Sequence, residues 1–292
     1  MQTAGVRMII VETDLLPNII DPAKDHGVPD DHILVFGHSS HQGCRSWTSF
    51  FDHGECDWPR FDDLESAKAK TLARLFSSGT TDLPKVADLS HHNPIAKHRL
   101  FTEGQATPWQ SRRIILPISH TATASLAHFA PLRSGDQCCI AKRFDVELYL
   151  PLVEEPQITE GAFVPPMVGA IINSPLKDKY SPKSIPLAHG GAAPLNEWSQ
   201  RKLQELLHPE CPITQVWGMT ETSCTCSLTP WPNREQNGSF GQMLPNTDSK
   251  LVDEAGRDIT AYDNRGELCV RAPLVFRGYF QNPEANSRDF DA

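Results

Sequence analysis

The chain has 292 residues, 39% of them hydrophobic and 22% charged, with a formal net charge of −9. That balance fits a folded globular protein with a sizeable core and argues against disorder or a nucleic-acid partner, since no basic stretch stands out. The apolar run Met8-Ile9-Ile10-Val11 is too short for a signal peptide, and Ile114–Leu132 is interrupted by Pro117, His120, His128 and Pro131, so no membrane span is expected.

Val6–Val11 and Ile33–Gly37 are short β-branched apolar runs and predict strands. Residues 38–60 lack periodicity and predict loop, whereas apolar residues three to four apart over Asp62–Leu75 predict a helix leading to a strand end. Arg113–Pro117 predicts a third strand, Thr121–Leu132 a helix, Gln137–Ile140 a strand, Val146–Glu155 a helix and Gly161–Val164 a strand. Pro165-Pro166 suits the first turn of the next helix. Strand Ile185–His189, helix Asn196–Leu207 with Asn196 at its cap, and strand Ile213–Trp217 follow. Strands and helices thus alternate to about residue 220, the pattern of an α/β fold with mostly parallel sheets. Beyond Pro230, Lys250–Val252, Gly266–Arg271 and Val275–Phe280 predict a small β subdomain. The expected division is 1–75, 76–230 and 231–292.

The eight cysteines are scattered and match neither zinc-finger nor redox spacing, which predicts reduced thiols in an intracellular protein. His38, His41, His91 and His92 sit among polar residues and read as solvated loop histidines.

Four motifs bear chemistry. In Ser77-Ser78-Gly79-Thr80-Thr81-Asp82-Leu83-Pro84-Lys85, hydroxyl donors surround a flexible backbone and end in a cation. Such a nest suits phosphate oxygens, although it is not a Walker A loop and a Ser/Thr-rich surface turn is the plain alternative. Gln215-Val216-Trp217-Gly218-Met219-Thr220-Glu221 ends a predicted strand, where ligands bind in open α/β sheets. Its hydroxyl and carboxylate could hold phosphate and Mg²⁺, or merely cap the strand. Gly190-Gly191-Ala192-Ala193-Pro194 would let a flat ligand approach the backbone, or form a tight turn. Gly266–Arg271 followed by Gly278-Tyr279-Phe280 is by itself a hairpin.

In this order and spacing, together with Arg143-Phe144-Asp145, Val164-Pro165-Pro166, Ser174-Pro175-Leu176 and Gly238-Ser239-Phe240-Gly241, these motifs resemble the acyl- and aryl-CoA synthetases of the adenylate-forming superfamily, nearest to 4-coumarate–CoA ligases. The resemblance implies activation of a carboxylic acid by ATP to an acyl-adenylate, then transfer to coenzyme A. It implies that Ser77, Ser78, Gly79, Thr80, Thr81 and Lys85 cradle the β- and γ-phosphates, and that Gly191, Ala192 and Ala193 border adenine and acid. Gln215, Trp217 and Gly218 would flank the nucleotide, Thr220 would touch the α-phosphate and Glu221 would hold Mg²⁺. His120 matches the family's pocket histidine, against the plain reading of a helix-start residue with a local hydrogen bond, and Arg143 matches a position that meets coenzyme A in relatives. Lys85, His120, Thr220 and Glu221 are thus the expected catalytic group. Ala122, Ala124, Phe163, Val164, Met167 and Trp217 would line an apolar acid pocket, suited to an aromatic or medium-chain acid.

Two departures stand out. Asp82 and Val86 replace family glycines. A carboxylate 4 Å from phosphate opposes binding by roughly 1 kcal/mol in water and about 4 kcal/mol at an effective dielectric near 20, and a β-branched residue tolerates positive φ poorly. The resemblance also implies that the chain opens inside the first α/β subdomain and stops before the family's ribose-binding Thr-Gly-Asp segment, so that the mobile C-terminal domain with its adenylation lysine falls outside it. The expected consequences are an exposed sheet edge, aggregation unless a protein partner covers it, and, as the alternative to a working ligase, a catalytically degenerate nucleotide-binding or interaction protein. The closing Asp289-Phe290-Asp291-Ala292 carries no peroxisomal or ER address, which predicts a cytoplasmic location.

Overall fold

The structure, a computed structural model, describes residues 1–77, 84–105, 107–235 and 238–290. The chain packs as two compact units, Met1–Ser66 with the segment from Tyr279 onward, and Ala67–Gly278. In the first, strands β1 (Ile9–Val11), β2 (Ile33–Val35) and β3 (Arg45–Ser46) form a parallel sheet, with helix α1 (Ile20–Asp25) crossing from β1 to β2. The β-branched residues of β1 and β2 pack with Leu16, Ala23 and Val28 into a small core. Helix α2 (Leu64–Ala69) ends six residues before the predicted Leu75.

The second unit opens with an antiparallel pair, β4 (Thr71–Ser77) and β5 (Lys85–Ser90), so that the strand expected only at the end of Asp62–Leu75 takes over already at Thr71. Pairing with β5 overrides the local helical spacing here, because the cross-strand partner supplies hydrogen bonds that a single-segment reading cannot see. Val86 is buried in β5 opposite Phe76, in extended backbone, so the strain expected of it does not arise. Asp82 lies outside the described residues. Helix α3 (His92–Lys97) follows and continues as a π-helical segment over His98–Glu103, so His92 begins a helix and is not a loop histidine.

A five-stranded parallel sheet forms the centre of this unit. Its strands are β6 (Arg112–Ile115), β7 (Gln137–Ile140), β8 (Glu160–Phe163), β9 (Leu187–Gly190) and β10 (Ile213–Gln215), in the spatial order β10-β9-β8-β6-β7. Helices α4 (Thr121–His128) and α5 (Ala130–Ser134), then α6 (Val146–Glu154), α7 (Pro165–Asn173) and α8 (Glu197–Leu206), make the crossovers. The break between α4 and α5 falls where Pro131 cannot donate to a continuing helix. Asn196 caps α8 by accepting from Ser199 N at 2.8 Å, as its position predicts. Leu150, Val153, Val168, Ile171, Leu203 and Ile213 join Phe163 and Ile185 in the main core, each fully buried aliphatic side chain contributing about 1.5–3 kcal/mol. Phe163 and Met167, expected in an acid pocket, pack into or against this core.

The amino ends of three neighbouring strands are pinned by a buried ion cluster. Arg113 donates to Glu160 at 2.8 Å through Nε and pairs closely with Asp136, while Ser111 bonds Glu160 and Gln110 reaches Asp136. The carboxyl ends stay open for the loops.

The predicted strand Ile213–Trp217 divides in two. Gln215 ends β10, and β11 (Trp217–Met219) turns away to pair antiparallel with β12 (Cys224–Leu228), which in turn pairs with β13 (Gln242–Met243). Strands β14 (Asp248–Val252) and β15 (Glu267–Arg271) pair antiparallel, so the partner of Gly266–Arg271 is the predicted strand at 250–252 and not Gly278–Phe280, as the hairpin reading has it. Val275–Phe280, predicted as a strand, joins no sheet. Helix α9 (Pro283–Asp289) belongs to the first unit. No helix among the described residues is long and apolar enough to cross a membrane.

Candidate functional site

The winding of the parallel sheet reverses after β7: the chain moves outward from β6 to β7, then returns to the other side of β6 for β8, β9 and β10. A crevice opens at the carboxyl ends of strands beside such a reversal. The loops that leave those ends carry most of the residues singled out from the sequence.

His120 follows β6, at the reversal itself. Its Nδ1 accepts the Ala122 N–H at 3.1 Å, so the plain helix-start role is filled, on a residue that is also exposed. Gly191, Ala192 and Ala193 follow β9. Gly191 N donates to Phe163 O at 3.1 Å and Val216 N to Gly190 O at 2.8 Å, which knits the exits of β8, β9 and β10 together. A Cβ on Gly191 would meet Val216 Cγ2 at 3.2 Å, and Ala192 holds a left-handed φ of 68°, so the small residues are there for close packing and a tight turn, and the exposed Ala192 and Ala193 edge remains accessible. Gln215, expected beside the nucleotide, is buried, and its Oε1 accepts from Leu195 N at 3.1 Å. It shapes the Ala192–Ala193 loop from beneath. Trp217 packs partly buried against Leu228 and its neighbours, and Gly218 is required because a Cβ there would lie 1.4 Å from the Cys224 carbonyl oxygen.

Thr220 and Glu221 occupy a single 3-10 turn, Thr220–Thr222, at the top of the β11–β12 hairpin. Glu221 is 7% exposed, and its carbonyl accepts from Phe276 N at 2.8 Å. Thr222, which sequence reasoning passed over, locks the turn: its hydroxyl accepts from Met219 N at 3.1 Å and lies 2.9 Å from Cys224 O. Ser223 and Cys224 follow with φ of 51° and 85°, a sharp left-handed exit that non-glycine residues adopt only when neighbours hold them there.

Ser77 and Lys85 are cross-strand partners in the β4–β5 register, so the hydroxyl-rich segment opens and closes on facing residues. Ser78, Gly79, Thr80 and Thr81 lie outside the described residues. Arg143 follows β7 and is exposed on the same edge of the sheet, yet β7 stands four strand spacings from β10, about 19 Å at ordinary separation. One edge of the sheet thus carries His120, Gly191–Ala193 and Gln215, with Trp217 opening β11 beyond Gln215, and Arg143 lies on the same edge one strand beyond His120, farthest from Gln215. Among the described residues no group of three His, Cys, Asp or Glu could hold a metal by itself. Mg²⁺ bound through substrate phosphates and water needs only one or two carboxylates, a demand that Glu221 beside Thr220 fits.

Beneath these loops lies a buried basic pair. His189 in β9 is within 3.1 Å of Thr214 Oγ1, and burial lowers its pKa to about 4. Lys97 is 1% exposed, sits 3.8 Å from the centre of the Phe101 ring, and is lowered to about 8 by burial, against which the nearby Cys224 and Cys226 act weakly. The Cys226 thiol is itself pushed up to about 11 by burial, far from a reactive thiolate.

A family model described as AMP-binding enzyme matches residues 1–280. Similar curated proteins include the acyl-CoA synthetase ACTT5 of Alternaria alternata, 46% identical over 100% of this chain and 51% of its own length. The phenylacetyl-CoA ligase epaB of Aspergillus niger is 42% identical over 100% of this chain and 56% of its own. Among solved structures, the luciferase-like enzyme of the mealworm Zophobas morio superposes with a TM-score of 0.81 at 22% identity, over 98% of this chain and 66% of that one. The chain spans about half the length of the curated relatives it matches. With its motifs on the carboxyl edge of a parallel sheet and the family model matched almost end to end, the chain belongs to the AMP-binding enzyme family.

Proposed function

We propose that this chain supplies the ATP- and acid-binding core of an AMP-forming acid–thiol ligase, acting on a small aromatic or medium-chain carboxylic acid. The observation that carries this reading is the convergence of the His120, Gly191–Ala193 and Gln215–Glu221 loops on one edge of the second unit's parallel sheet. In the reaction a carboxylate oxygen of the acid attacks the α-phosphorus of ATP, the bond to the bridging oxygen breaks, and pyrophosphate leaves. The coenzyme A thiolate then attacks the acyl carbon and AMP departs. Two anions must meet in the first step, so the site has to offset their repulsion. Lys85 and the Ser77–Thr81 hydroxyls would neutralise the β- and γ-phosphates, with Thr220 donating toward the α-phosphate. Mg²⁺, held by Glu221, would add Lewis-acid stabilisation of the phosphate oxygens. His120 would face the acid, and Arg143 would meet coenzyme A.

The apolar loops after β6 and β8 and the phenylacetyl-CoA ligase among the relatives favour an aromatic acid. One observation favours a second reading, a degenerate nucleotide-binding homologue: Asp82 places a carboxylate in the phosphate segment. ATP–pyrophosphate exchange across a panel of phenylacetate, benzoates and C6–C10 fatty acids separates the two. Exchange with at least one acid is expected, together with a thermal shift on adding Mg·ATP that Glu221→Gln reduces at least tenfold in apparent affinity. A thermal shift without exchange points to the degenerate homologue, and no response to Mg·ATP discards both.

A further inference from the structure

The segment Pro273–Gly278 belongs to no sheet, yet it is bonded on two sides. It opens with a turn, closed by Val275 N donating to Ala272 O at 3.1 Å, and its backbone groups point to two sides. On one side, the Pro273 and Val275 carbonyls accept from Asn93 Nδ2 at 3.0 and 2.8 Å, and Arg277 N donates to Asp88 O at 3.0 Å. On the other, the Leu274 carbonyl accepts from Ser223 Oγ at 2.7 Å, and Phe276 N donates to the Glu221 carbonyl at 2.8 Å. The first side belongs to β5, which begins at Lys85, and to the start of α3 that follows it, and the second to the turn that carries Thr220 and Glu221.

Asn93 is the hub of the first side. It is 4% exposed, and besides the two bonds it gives to the segment, its Oδ1 accepts from Ser90 N and Ser90 Oγ, both at 2.8 Å. Every donor and one acceptor of this buried amide is thus engaged, half toward the end of β5 and half toward the segment. Arg277 adds to the same side, with its guanidinium 3.5 Å from Asp88 and 3.2 Å from Thr71 Oγ1.

We propose that Pro273–Gly278 is a strap that sets the spacing between the phosphate-binding hairpin and the metal-binding carboxylate, and that Asn93 and Ser223, at its two sides, are positioning residues for the ligase reaction. The inference rests on the function proposed above. A nucleotide held by Lys85 at one end and, through a divalent cation, by Glu221 at the other is bound best when the two anchors stand at a fixed separation, and the strap bonds both the strand that begins at Lys85, through Asp88, and the Glu221 turn, beside the direct packing of β4 on that turn.

The test is the synergy between metal and nucleotide, the ratio of ATP affinities with and without Mg²⁺, measured by calorimetry on the full chain. Asn93→Asp keeps the oxygen that accepts from Ser90 and removes the donors to the strap. Ser223→Ala removes one of the two bonds on the other side without touching β5, and serves alone if Asn93→Asp does not fold. Each is expected to lower the ratio at least fivefold while changing metal-free ATP affinity less than twofold. The double variant is expected to lose no more than the larger single loss, because one strap is severed once; independent structural damage would multiply. Folded variants that retain the wild-type ratio overturn the strap while leaving the ligase reading intact. A wild-type chain that binds no Mg·ATP overturns both.

Discussion

Lys97 shows how much a single buried charge can weigh. An ammonium taken out of water is costly unless an anion meets it, and here its close neighbours are the Phe101 ring and two thiols. Its pKa near 8 in the folded chain, against an ordinary 10.5, means that below pH 8 the lysine is protonated in both states and the folded state bears the whole penalty, about 3 kcal/mol from a shift of this size. As pH rises from 8 through 10.5, the unfolded chain loses its proton as well and the penalty disappears. Lys97→Met, of similar length and apolar, is therefore expected to raise the melting temperature at pH 7, offset in part by the lost cation–π contact, with the gain shrinking toward zero above pH 10. Equal melting temperatures at pH 7 would sink the idea. His189 works in the same direction in an acid window: the folded state resists protonation, so stability is complete above 6.5 and declines as pH falls toward 4.

Helices with strong end signals follow the sequence closely, and α8 is the clearest. Asn196 at the cap was legible because capping is a local bargain between a side chain and orphan N–H groups. Asn196→Ala is expected to lower stability by about 1 kcal/mol, read as a drop in the denaturant midpoint at unchanged slope. The parallel strands β6 to β10 were legible too, since a short run of apolar or small residues followed by a helical period has few other readings. What escaped the sequence depended on distant partners. Strand β4 has a helical spacing that only β5 overrules, β12 is a polar run of Cys, Thr and Ser that only its pairing with β11 and β13 reveals, and the segment after Pro273 looks like a strand but finds its bonds in Asn93 and Ser223. In the candidate site, the loops after β9 and β10 could be placed by motif. The inward turn of Gln215 and the roles of Thr222 and Asn93 could not, because a hydrogen-bonding side chain does not announce its direction.

For the chain as an entity in solution, the first unit presents Phe51 and Trp58 at 70% and 80% exposure, unusual for side chains of that size. Concentration-dependent light scattering is expected of the purified chain, and Phe51→Ser with Trp58→Ser is expected to reduce it; scattering that is equal in both proteins would place the stickiness elsewhere. The strap has a further consequence, in the order of events during synthesis. Asn93 and the Pro273 carbonyl are 180 residues apart, so the bond between them closes one of the longest loops in the chain. A ribosome working from the amino end delivers the Lys85 strand and the Glu221 turn well before residue 278 leaves the exit tunnel, and for that interval the two proposed anchors for a nucleotide have the packing of β4 on the turn but not the strap to hold them in step.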